Sequence, residues 1–584
     1  MLKLLKLSLD KKSWMYFLVN TIFSILQVLG YIAVPILLVY LNQIGDAEYE
    51  YKDTLMPWLS KSTQSTVLML IMILISLLSF GFGVVSIYYS SKMSTYLANN
   101  LRIRVFKKSI NFTREDWNFW NKSQVLNLIT VDLTYVSNSF EFLFRIVYKT
   151  IFMYFGSIVG ILIISIGKNT ELVPGYPNIP SWSMSVMAIL ISIIMFLLII
   201  LISNYASKHF TKNQESLDSM NNFIENNVNA QKTIKLLNLQ EYQLEHFEPL
   251  NTNMTKIYTR TGVIQSAILP TIYFFLDISI VLGTWLTPKT MMAELSSLLL
   301  FLGLILSAMV SCTLAIININ KGISCSKRIL EFLNYKYKIV YPTRNLEKIG
   351  NELNVKNLKY NYDNFELNVE SFSLKDKEKI GIFGLTNSGK STFINLLTHQ
   401  LKNKSNSIFV DEENINNFSK NDLSKLYSYC PQNIQLFSGT IKSNLLLANS
   451  KANNELMDEI LEIVNLNLYS GNDKNSEIGE FGKKLSGGQK QRLMIARTLI
   501  KESNIYIFDD CFSALDRITQ SEIISRILKL NKTIIIASQK LNLIKNCDKI
   551  YVFENGNIIN YGTHEYLMKN CSYYSQSYKE VLLD

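Results

Sequence analysis

Cysteine and histidine are scarce in this chain of 584 residues, which contains six cysteines and four histidines. The cysteines lack the regular spacing of a disulfide framework or a zinc site, so neither is predicted. Most of them fall in segments that we expect to lie in the cytosol, where thiols stay reduced. A basic stripe interleaved with base-stacking aromatic residues is also missing, so the net charge of +11 does not predict nucleic-acid binding.

Long apolar runs are plentiful in the first 320 positions, whereas Asn, Lys, Asp and Glu crowd the rest. Six of these runs approach or exceed the roughly 20 residues that a helix needs to cross a bilayer. The predicted membrane helices are 14–41, 67–88, 146–166, 184–202, 263–286 and 295–317. The first run is too long for a cleaved signal peptide and lacks a small-residue cleavage site. The lipid bilayer is therefore the first predicted partner.

Basic residues concentrate in segments 91–145 and 203–262, whereas Lys168 is the only basic residue of segment 167–183. Because short cytosolic loops are enriched in Lys and Arg, both termini are predicted to be cytosolic. Apolar residues recur at helix-like spacing in the second basic segment, so we expect the membrane helices to continue into the cytosol. These residues are Ile224, Val228, Ile234 and Leu237.

Asp277 lies inside the fifth predicted span, among aromatic and aliphatic residues. An intramembrane carboxylate costs several kcal/mol unless it faces a partner or a wet cavity. Two interpretations stay open: a contact for a cationic or amine-bearing substrate, and a hydrogen-bond partner between helices. Pro35 and Pro270 are expected to kink their helices.

A phosphate-binding loop is predicted where the apolar run 379–383 leads into Gly-Leu-Thr-Asn-Ser-Gly-Lys-Ser-Thr. A helix is expected to begin at Ser391, and its N-terminus and the loop N–H groups would hold the β-phosphate of a nucleotide. Lys390 is expected to reach the β- and γ-phosphate oxygens, and the Ser391 hydroxyl to coordinate Mg²⁺. The loop's predicted nucleotide-binding residues are Gly384, Leu385, Thr386, Asn387, Ser388, Gly389, Lys390, Ser391 and Thr392.

Two further motifs follow the loop: Leu-Ser-Gly-Gly-Gln at 485–489 and Ile-Tyr-Ile-Phe-Asp-Asp at 505–510. In this order the three motifs resemble the ATPase cassette of an ABC transporter of exporter type. The resemblance implies an α-helical membrane domain with six helices and an α/β P-loop ATPase domain with an antiparallel β-subdomain and a helical subdomain. The implied boundaries are 1–324 for the membrane domain, 325–350 for a linker and 351–584 for the ATPase domain.

The resemblance also implies roles for single residues. Tyr362 occupies the position of the adenine-stacking aromatic residue, although Tyr360 competes for it. Gln432 matches a glutamine that contacts Mg²⁺, and Asp509 suits a further Mg²⁺ contact. Short transverse coupling helices are expected near 111–117 and 221–229. The signature residues would cap the γ-phosphate of ATP held by a partner chain; they are Ser486, Gly487, Gly488 and Gln489.

Two positions depart from the family pattern. Asp510 stands where the family has the Glu that orients the attacking water. Its shorter side chain withdraws the carboxylate, and a misplacement of ~1 Å can cost on the order of 100-fold in rate. Gln539 stands where the family has a His that contacts the γ-phosphate, and His564 matches a separate, peripheral position. With Gln432, these are the predicted catalytic positions. The two departures together, Asp510 and Gln539, resemble the degenerate subunit of heterodimeric bacterial exporters.

We therefore predict a bacterial half-transporter of the cytoplasmic membrane that uses ATP and Mg²⁺ and pairs with a second half-transporter. It would export a small molecule, lipid or peptide by alternating access, as the impaired half of a heterodimer. Three alternatives stay open: a slow homodimeric exporter that uses Asp510, an importer with the exporter fold, and an ATP-gated sensor or channel that does not pump. No peptidase domain is expected ahead of the first span, and the substrate is not predicted beyond a preference for cationic amphiphiles based on Asp277.

Overall fold

The computed structural model describes the chain except residues 46–58, 167–171, 174–175, 181–182, 287–291, 363–364, 404–405, 468–470 and 584. The described residues form two compact units. The first comprises Met1–Asn111 and Asn121–Tyr335, and the second comprises Phe112–Trp120 and Lys336–Asp584. Each unit has its own architecture.

The first unit is helical. In chain order, the helices up to Asn334 are α1 (Leu2–Ser8), α2 (Lys11–Gly45), α3 (Lys61–Ile110), α4 (Arg114–Phe119), α5 (Lys122–Asn127), α6 (Leu133–Phe142), α7 (Tyr148–Ile166), α8 (Ser183–Asn229), α9 (Gln231–Leu236), α10 (Gln240–Ser266), α11 (Ile268–Leu286) and α12 (Met292–Asn334). Of these, α4 belongs to the second unit. Two π-helical segments, Leu128–Asp132 and Leu143–Val147, flank α6, and β1 (Leu172–Val173) pairs antiparallel with β2 (Tyr176–Pro180).

Four helical stretches of the described chain are long and apolar enough to cross a membrane. They are Lys11–Asn42, Lys61–Ile110, Lys122–Ile163 and Ser296–Asn334, and they coincide with the first, second, third and sixth predicted spans. The fourth and fifth predicted spans coincide only with the shorter apolar stretches Ile189–Leu198 and Leu269–Leu282. The chain is therefore a multi-pass membrane protein, and the predicted count of six spans is not confirmed.

The long helices extend well past the apolar stretches. Helix α3 has 50 residues, which at 1.5 Å per residue is about 75 Å, more than twice the hydrocarbon thickness of a bilayer. Helix α8 has 47 residues and is likewise continuous. The prediction that the long basic connections are helical is therefore confirmed.

The two short transverse helices were predicted with unequal success. The first, expected near 111–117, is α4, which begins after a capping box formed by Thr113 and Asp116. The second, expected at 221–229, was wrong, because those residues are the last turns of α8. The helical backbone breaks only at Ala230, whose φ of −91° and ψ of 10° leave the α region, and the short helix α9 follows it.

Buried polar side chains fix the first two membrane helices against the chain that follows α6. Asn20 of α2 donates its Nδ2 to the carbonyl of Phe144, 2.9 Å away, inside the second π-helical segment. Ser86 of α3 donates to Asn20 Oδ1 at 2.9 Å and lies 2.7 Å from the Ser24 hydroxyl. Because a buried polar group is costly unless it is paired, this network specifies how the helices pack. Pro270 has no N–H for the carbonyl of Ser266, and the helix is interrupted at Ala267 between α10 and α11.

The second unit contains a sheet of ten strands with helices around it. Its strands are β3 (Leu353–Tyr362), β4 (Phe365–Leu374), β5 (Lys379–Phe383), β6 (Ile408–Val410), β7 (Glu413–Asn414), β8 (Tyr427–Cys430), β9 (Ile505–Asp509), β10 (Thr533–Ser538), β11 (Lys549–Glu554) and β12 (Asn557–Gly562). Its helices after α4 are α13 (Lys390–Leu397), α14 (Lys420–Leu426), α15 (Ile441–Leu446), α16 (Asn454–Ile463), α17 (Gly487–Ile500), α18 (Arg517–Leu528), α19 (His564–Asn570) and α20 (Ser572–Leu583).

The sheet order is β7-β6-β3-β4-β12-β11-β5-β10-β9-β8. Strands β11, β5, β10, β9 and β8 run parallel, while β7, β6, β3 and β4 pair antiparallel. The predicted fold class, a helical membrane region plus an α/β ATPase region with antiparallel strands, is confirmed. Strands β3 and β4 form one hairpin in which Tyr362 pairs with Phe365.

The parallel strands are buried on both faces, as parallel sheets require. On β9, Ile505 and Ile507 point into one apolar cluster while Tyr506 and Phe508 point into the other. The apolar run therefore ends at Asp509, which is the first polar residue to emerge from this strand. The core thus delivers a carboxylate to the edge of the sheet.

Candidate nucleotide-binding site

A cavity of about 550 Å³ opens at the carboxyl ends of the parallel strands of the second unit. This edge of an α/β sheet is where such folds bind ligands. The cavity brings together residues from the β3–β4 hairpin, from the loop after β5 and from the ends of β8, β9 and β10. Its lining consists of Tyr362, Phe365, Thr386, Asn387, Ser388, Gly389, Lys390, Ser391, Thr392, Gln432, Asp509, Asp510 and Gln539.

The loop after β5 has the backbone conformation that a phosphate-binding loop requires. Gly389 has a φ of 101°, and a Cβ there would lie 2.9 Å from Phe365 Cζ and 3.0 Å from Leu367 Cδ1. Asn387 has a φ of 64°, which Asn tolerates better than most residues. Helix α13 begins at Lys390, one residue earlier than predicted. Lys390, Ser391 and Thr392 at this helix start line the cavity, and a helix N-terminus favours an anion.

Lys390 is held inside the loop. Its Nζ donates to the carbonyls of Gly384 at 2.7 Å and Leu385 at 2.9 Å, and only 9% of the residue is exposed. Burial lowers the pKa of Lys390, while the carboxylates of Asp510 and Asp509 act in the opposite direction. The ammonium group is thus already positioned in the loop, beside the cavity where phosphate oxygens would bind.

Asp509 has a defined partner on each carboxylate oxygen. The Ser391 hydroxyl donates to Oδ1 at 3.2 Å, and the Tyr429 hydroxyl donates to Oδ2 at 3.1 Å. Burial raises the pKa of Asp509, and the hydrogen bonds from Tyr429 and Ser391 lower it. A hydroxyl, a carboxylate and the amide of Gln432 at one cavity wall form the oxygen-rich set that Mg²⁺ prefers, so these residues fit the ion. Tyr429 was not predicted as a site residue.

Asp510 turns away from the strand. Its φ of 45° lies in the left-handed region, its N–H donates to the carbonyl of Ala537 at 2.9 Å, and its Oδ2 accepts from Gln432 Nε2 at 3.4 Å. Gln539 lies across the cavity, where its Oε1 accepts from the Thr386 hydroxyl at 3.3 Å. The structure therefore brings together all three predicted catalytic positions.

The two candidate stacking residues are separated. Tyr362 lines the cavity and is 52% exposed, which leaves its ring face open to a base. Tyr360 does not line the described cavity, and its hydroxyl donates to Glu115 Oε1 at 3.4 Å. Burial, followed by the Glu115 carboxylate, raises the pKa of Tyr360 to about 12. Phe365, which the sequence analysis did not single out, joins Tyr362 at this end of the cavity.

The signature residues 485–489 do not belong to the lining of the described cavity. Ser486 caps helix α17: its hydroxyl accepts from the Gln489 N–H at 3.3 Å, and its own N–H donates to Gln489 Oε1 at 2.9 Å. A Cβ built on Gly487 meets no atom within 4 Å. The helix start is therefore open, as a surface that receives another molecule would be.

Helix α4 is bonded to the rest of the second unit through two acidic residues. Asp116 Oδ1 accepts from the Lys338 N–H at 3.0 Å, and Glu115 Oε1 accepts from the Lys402 N–H at 2.9 Å. Glu115 thereby contacts both the segment after α13 and Tyr360, which lies two residues before Tyr362 on β3. These hydrogen bonds explain why Phe112–Trp120 belongs to the second unit although it lies within the sequence of the first.

The membrane unit contains a second, apolar cavity of about 300 Å³ lined by residues of α7, α8 and α12 and of the π-helical segment before α7. Tyr154, Phe155 and Phe196 contribute its aromatic wall. Asp277 does not line it and is exposed on the protomer.

Two family profiles match the chain. One, described as the ABC transporter transmembrane region, matches residues 179–314, and the other, described as ABC transporter, matches residues 367–513. The second match contains the phosphate loop, the signature and both acidic residues of the Asp509-Asp510 pair.

Relatives resemble the chain over most of its length. It is 26% identical over 521 residues to an uncharacterized ABC transporter ATP-binding protein, YfiB, of Bacillus subtilis, with 87% of this chain and 88% of the relative covered. It is also 26% identical over 521 residues to an ATP-dependent lipid A-core flippase of Wigglesworthia glossinidia brevipalpis, with 85% of each covered. The solved structure of a bacterial Atm1-family ABC exporter with ATP bound shares the fold, with a TM-score of 0.80 at 17% identity over 96% of this chain and 98% of that chain.

Proposed function

Since this chain belongs to the ABC transporters, with an exporter-type membrane region and an ABC-type ATPase region that couples ATP use to transport, we propose that it is the catalytically impaired half of a heterodimeric exporter. Its own phosphate loop holds Mg²⁺·ATP for long periods, and its partner supplies the residues that hydrolyse ATP rapidly. The exported compound is a small molecule, a lipid or a peptide.

One observation carries this proposal: Asp510 and Gln539 face the same cavity as Lys390 and Ser391. The carboxylate of Asp510 is one methylene shorter than that of Glu, and Gln432 Nε2 already donates to it. An attacking water would therefore lie farther from its base, and a misplacement of ~1 Å can cost on the order of 100-fold in rate. Gln539 offers an amide in place of an imidazole, so it cannot act as a proton donor with a pKa near neutrality.

The binding side of the site is unimpaired. The loop backbone, Lys390 and Tyr362 have the geometry that nucleotide binding needs, and Ser391, Asp509 and Gln432 suit Mg²⁺. When bound, the ion would neutralise phosphate charge. The signature at 485–489 is intact and open at the start of α17, so it can complete the partner's site. A chain that binds ATP well, hydrolyses it slowly and lends a good signature is what a division of labour between two halves requires.

The remaining parts of the proposal follow from the layout of the chain. Residues 1–324 form the membrane domain, 325–350 link it to the ATPase domain, and both termini lie in the cytosol. Alternating access is driven by closure of two ATPase domains around ATP. The relative named as a lipid A-core flippase supports a lipid among the candidate substrates.

The decisive experiment compares ATP hydrolysis by the purified chain in lipid with that of the double variant Asp510→Glu, Gln539→His. We expect the wild type to be nearly silent and the double variant to gain at least 100-fold, because a better-placed base restores water activation. Lys390→Ala in the double variant is the control and should abolish the gain. A wild-type rate of about one per second or faster, typical of enzymes, would instead support a homodimer that uses Asp510.

A further inference from the structure

Strand β8 and the loop after it are bonded to both acidic residues at the end of β9, Asp509 within the strand and Asp510 directly after it. Tyr429 donates to Asp509 Oδ2 at 3.1 Å, and Gln432, three residues later, donates to Asp510 Oδ2 at 3.4 Å. The second contact involves a residue that the family motif already marks. The first involves a tyrosine to which no motif assigns a role.

Strand register explains why a tyrosine at 429 reaches this carboxylate. β8 and β9 run parallel, and Tyr429 lies opposite Ile507. Side chains two residues apart share a face and are about 7 Å apart along a strand, so Asp509 lies one tyrosine length beyond Ile507 on the face of Tyr429. The ring of Tyr429 packs against the apolar cluster that contains Ile507. An aliphatic side chain would fill this space but could not donate to Asp509.

The two partners of Asp509 differ in kind. Ser391 Oγ, on Oδ1, is itself a candidate Mg²⁺ ligand at the start of α13, so its hydroxyl would be shared between the carboxylate and the ion. Tyr429, on Oδ2, lies on the far side from Ser391 and is anchored in the core. Only Tyr429 can therefore hold the carboxylate in one orientation whether or not an ion is bound.

We propose that Tyr429 is a positioning residue for the metal end of the nucleotide site: it holds the Asp509 carboxylate so that Oδ1 and the Ser391 hydroxyl face one ion. This inference rests on the proposed Mg²⁺·ATP site but not on the chain being the impaired half of a pair. Groups that orient metal ligands from behind are commonly worth 10- to 100-fold in metal affinity.

Tyr427 supplies a matched control on the same strand. It lies two residues before Tyr429 and is buried, and its hydroxyl has no hydrogen-bond partner in the described part of the chain. Tyr427→Phe and Tyr429→Phe therefore remove the same atom from the same strand. They differ in that only the Tyr429 hydroxyl donates to Asp509.

The test measures how tightly Mn²⁺, which replaces Mg²⁺, binds to the full chain in the presence of a non-hydrolysable ATP analogue. Electron paramagnetic resonance reports the concentration of the free ion. Tyr429→Phe should weaken Mn²⁺ binding by about 10- to 100-fold, and Tyr427→Phe should leave it within twofold. Binding of the analogue in EDTA should be unchanged in both variants. In an Asp509→Asn background, adding Tyr429→Phe should have no further effect, because the residue it positions is gone.

Equal Mn²⁺ affinity in the two phenylalanine variants would overturn the inference. So would an effect of Tyr429→Phe that persists undiminished in the Asp509→Asn background, since Tyr429 would then act through general packing. Failure of the wild type to bind the analogue in the presence of Mn²⁺ would overturn the nucleotide site itself, and with it this inference. That outcome is distinguishable because it involves no variant.

Discussion

His399 carries a buried imidazole just beyond α13. The residue is 3% exposed, it has a φ of 56°, and its ring packs edge-on to Tyr341 with centroids 5.5 Å apart. Burial lowers the pKa of His399 from 6.5 to about 4. The imidazole therefore binds a proton more readily in the unfolded chain than in the folded one. The free energy of unfolding is highest above pH 6.5, where His399 is neutral in both states, and it decreases as the pH falls toward 4.

His399→Asn should therefore reduce the acid sensitivity of the ATPase region. Asn suits the positive φ and cannot titrate. Linkage puts the lost contribution at about 1 kcal/mol between pH 7.5 and 5.5, which corresponds to roughly 2 to 4 °C in apparent melting temperature. The measurement is the difference in apparent melting temperature between these two pH values, made on the full chain in detergent. His246→Asn, at an exposed ring, is the control, and an unchanged pH difference in His399→Asn would contradict the expectation.

Among single residues, the sequence predicted those site residues that belong to a short continuous motif. The phosphate loop needs only nine consecutive residues after a buried strand. The structure places 386–392 in one cavity with Gln432, Asp509, Asp510 and Gln539, whereas Gly384 and Leu385 do not line the described cavity and accept hydrogen bonds from Lys390 through their carbonyls. Tyr429 and Phe365 were missed because their places depend on strand register: Tyr429 opposite Ile507, and Phe365 opposite Tyr362. A single sequence does not reveal the register of β8 against β9, which are dozens of residues apart, or the register within the β3–β4 hairpin.

Among the elements, α4 depends on one carboxylate. Asp116 Oδ2 accepts from the Thr113 N–H at 2.8 Å and from its hydroxyl at 2.9 Å, while Oδ1 accepts from the Lys338 N–H at 3.0 Å. The residue is fully buried. Asp116 therefore both caps a helix of six residues and bonds it to the start of the ATPase region.

Asp116→Ala should destabilise this unit by about 1 to 3 kcal/mol, since it removes a cap and leaves buried N–H groups unpaired. The expected loss is roughly 2 to 4 °C of apparent melting temperature per kcal/mol. Asn118→Ala, on the exposed side of the same helix, is the matched control and should have little effect. Equal melting temperatures for the two variants would show that α4 is not held by Asp116.

Elements were predictable where periodicity is strong and less so where a break depends on local chemistry. The long helices followed from apolar runs and helix-like spacing. The end of α8 was missed because Ala230, an excellent helix former, gives no stop signal.

For the whole molecule, the incomplete part of the site points to a second chain. The phosphate loop and the carboxylates share one cavity, whereas the signature begins α17 outside its described lining. The family resemblance predicted that the signature and the phosphate loop would belong to different nucleotide sites. Each site would then be completed by the signature of another chain. The identity of that partner decides whether Asp510 works alone or beside a better site.

Gly487→Ala tests the assembly directly. A methyl group at Gly487 meets no atom within 4 Å in the protomer, and Ala favours a helix over Gly. The melting temperature and ATP binding of the isolated chain should therefore be unchanged or slightly improved. In the assembled transporter the methyl would push the helix start away from the partner's γ-phosphate. ATP hydrolysis should then fall on the order of 100-fold for a ~1 Å displacement.

Gly262→Ala is the matched control, because its Cβ also meets no atom within 4 Å and it lies within α10, far along the chain from the signature. It should leave hydrolysis by the assembled transporter unchanged. Full hydrolysis by the Gly487→Ala transporter would show that this signature closes no nucleotide site. A loss seen equally in nucleotide binding by the isolated chain would instead place residue 487 within its own site. Only a defect confined to the assembly supports closure of one chain's ATP by the other chain's helix.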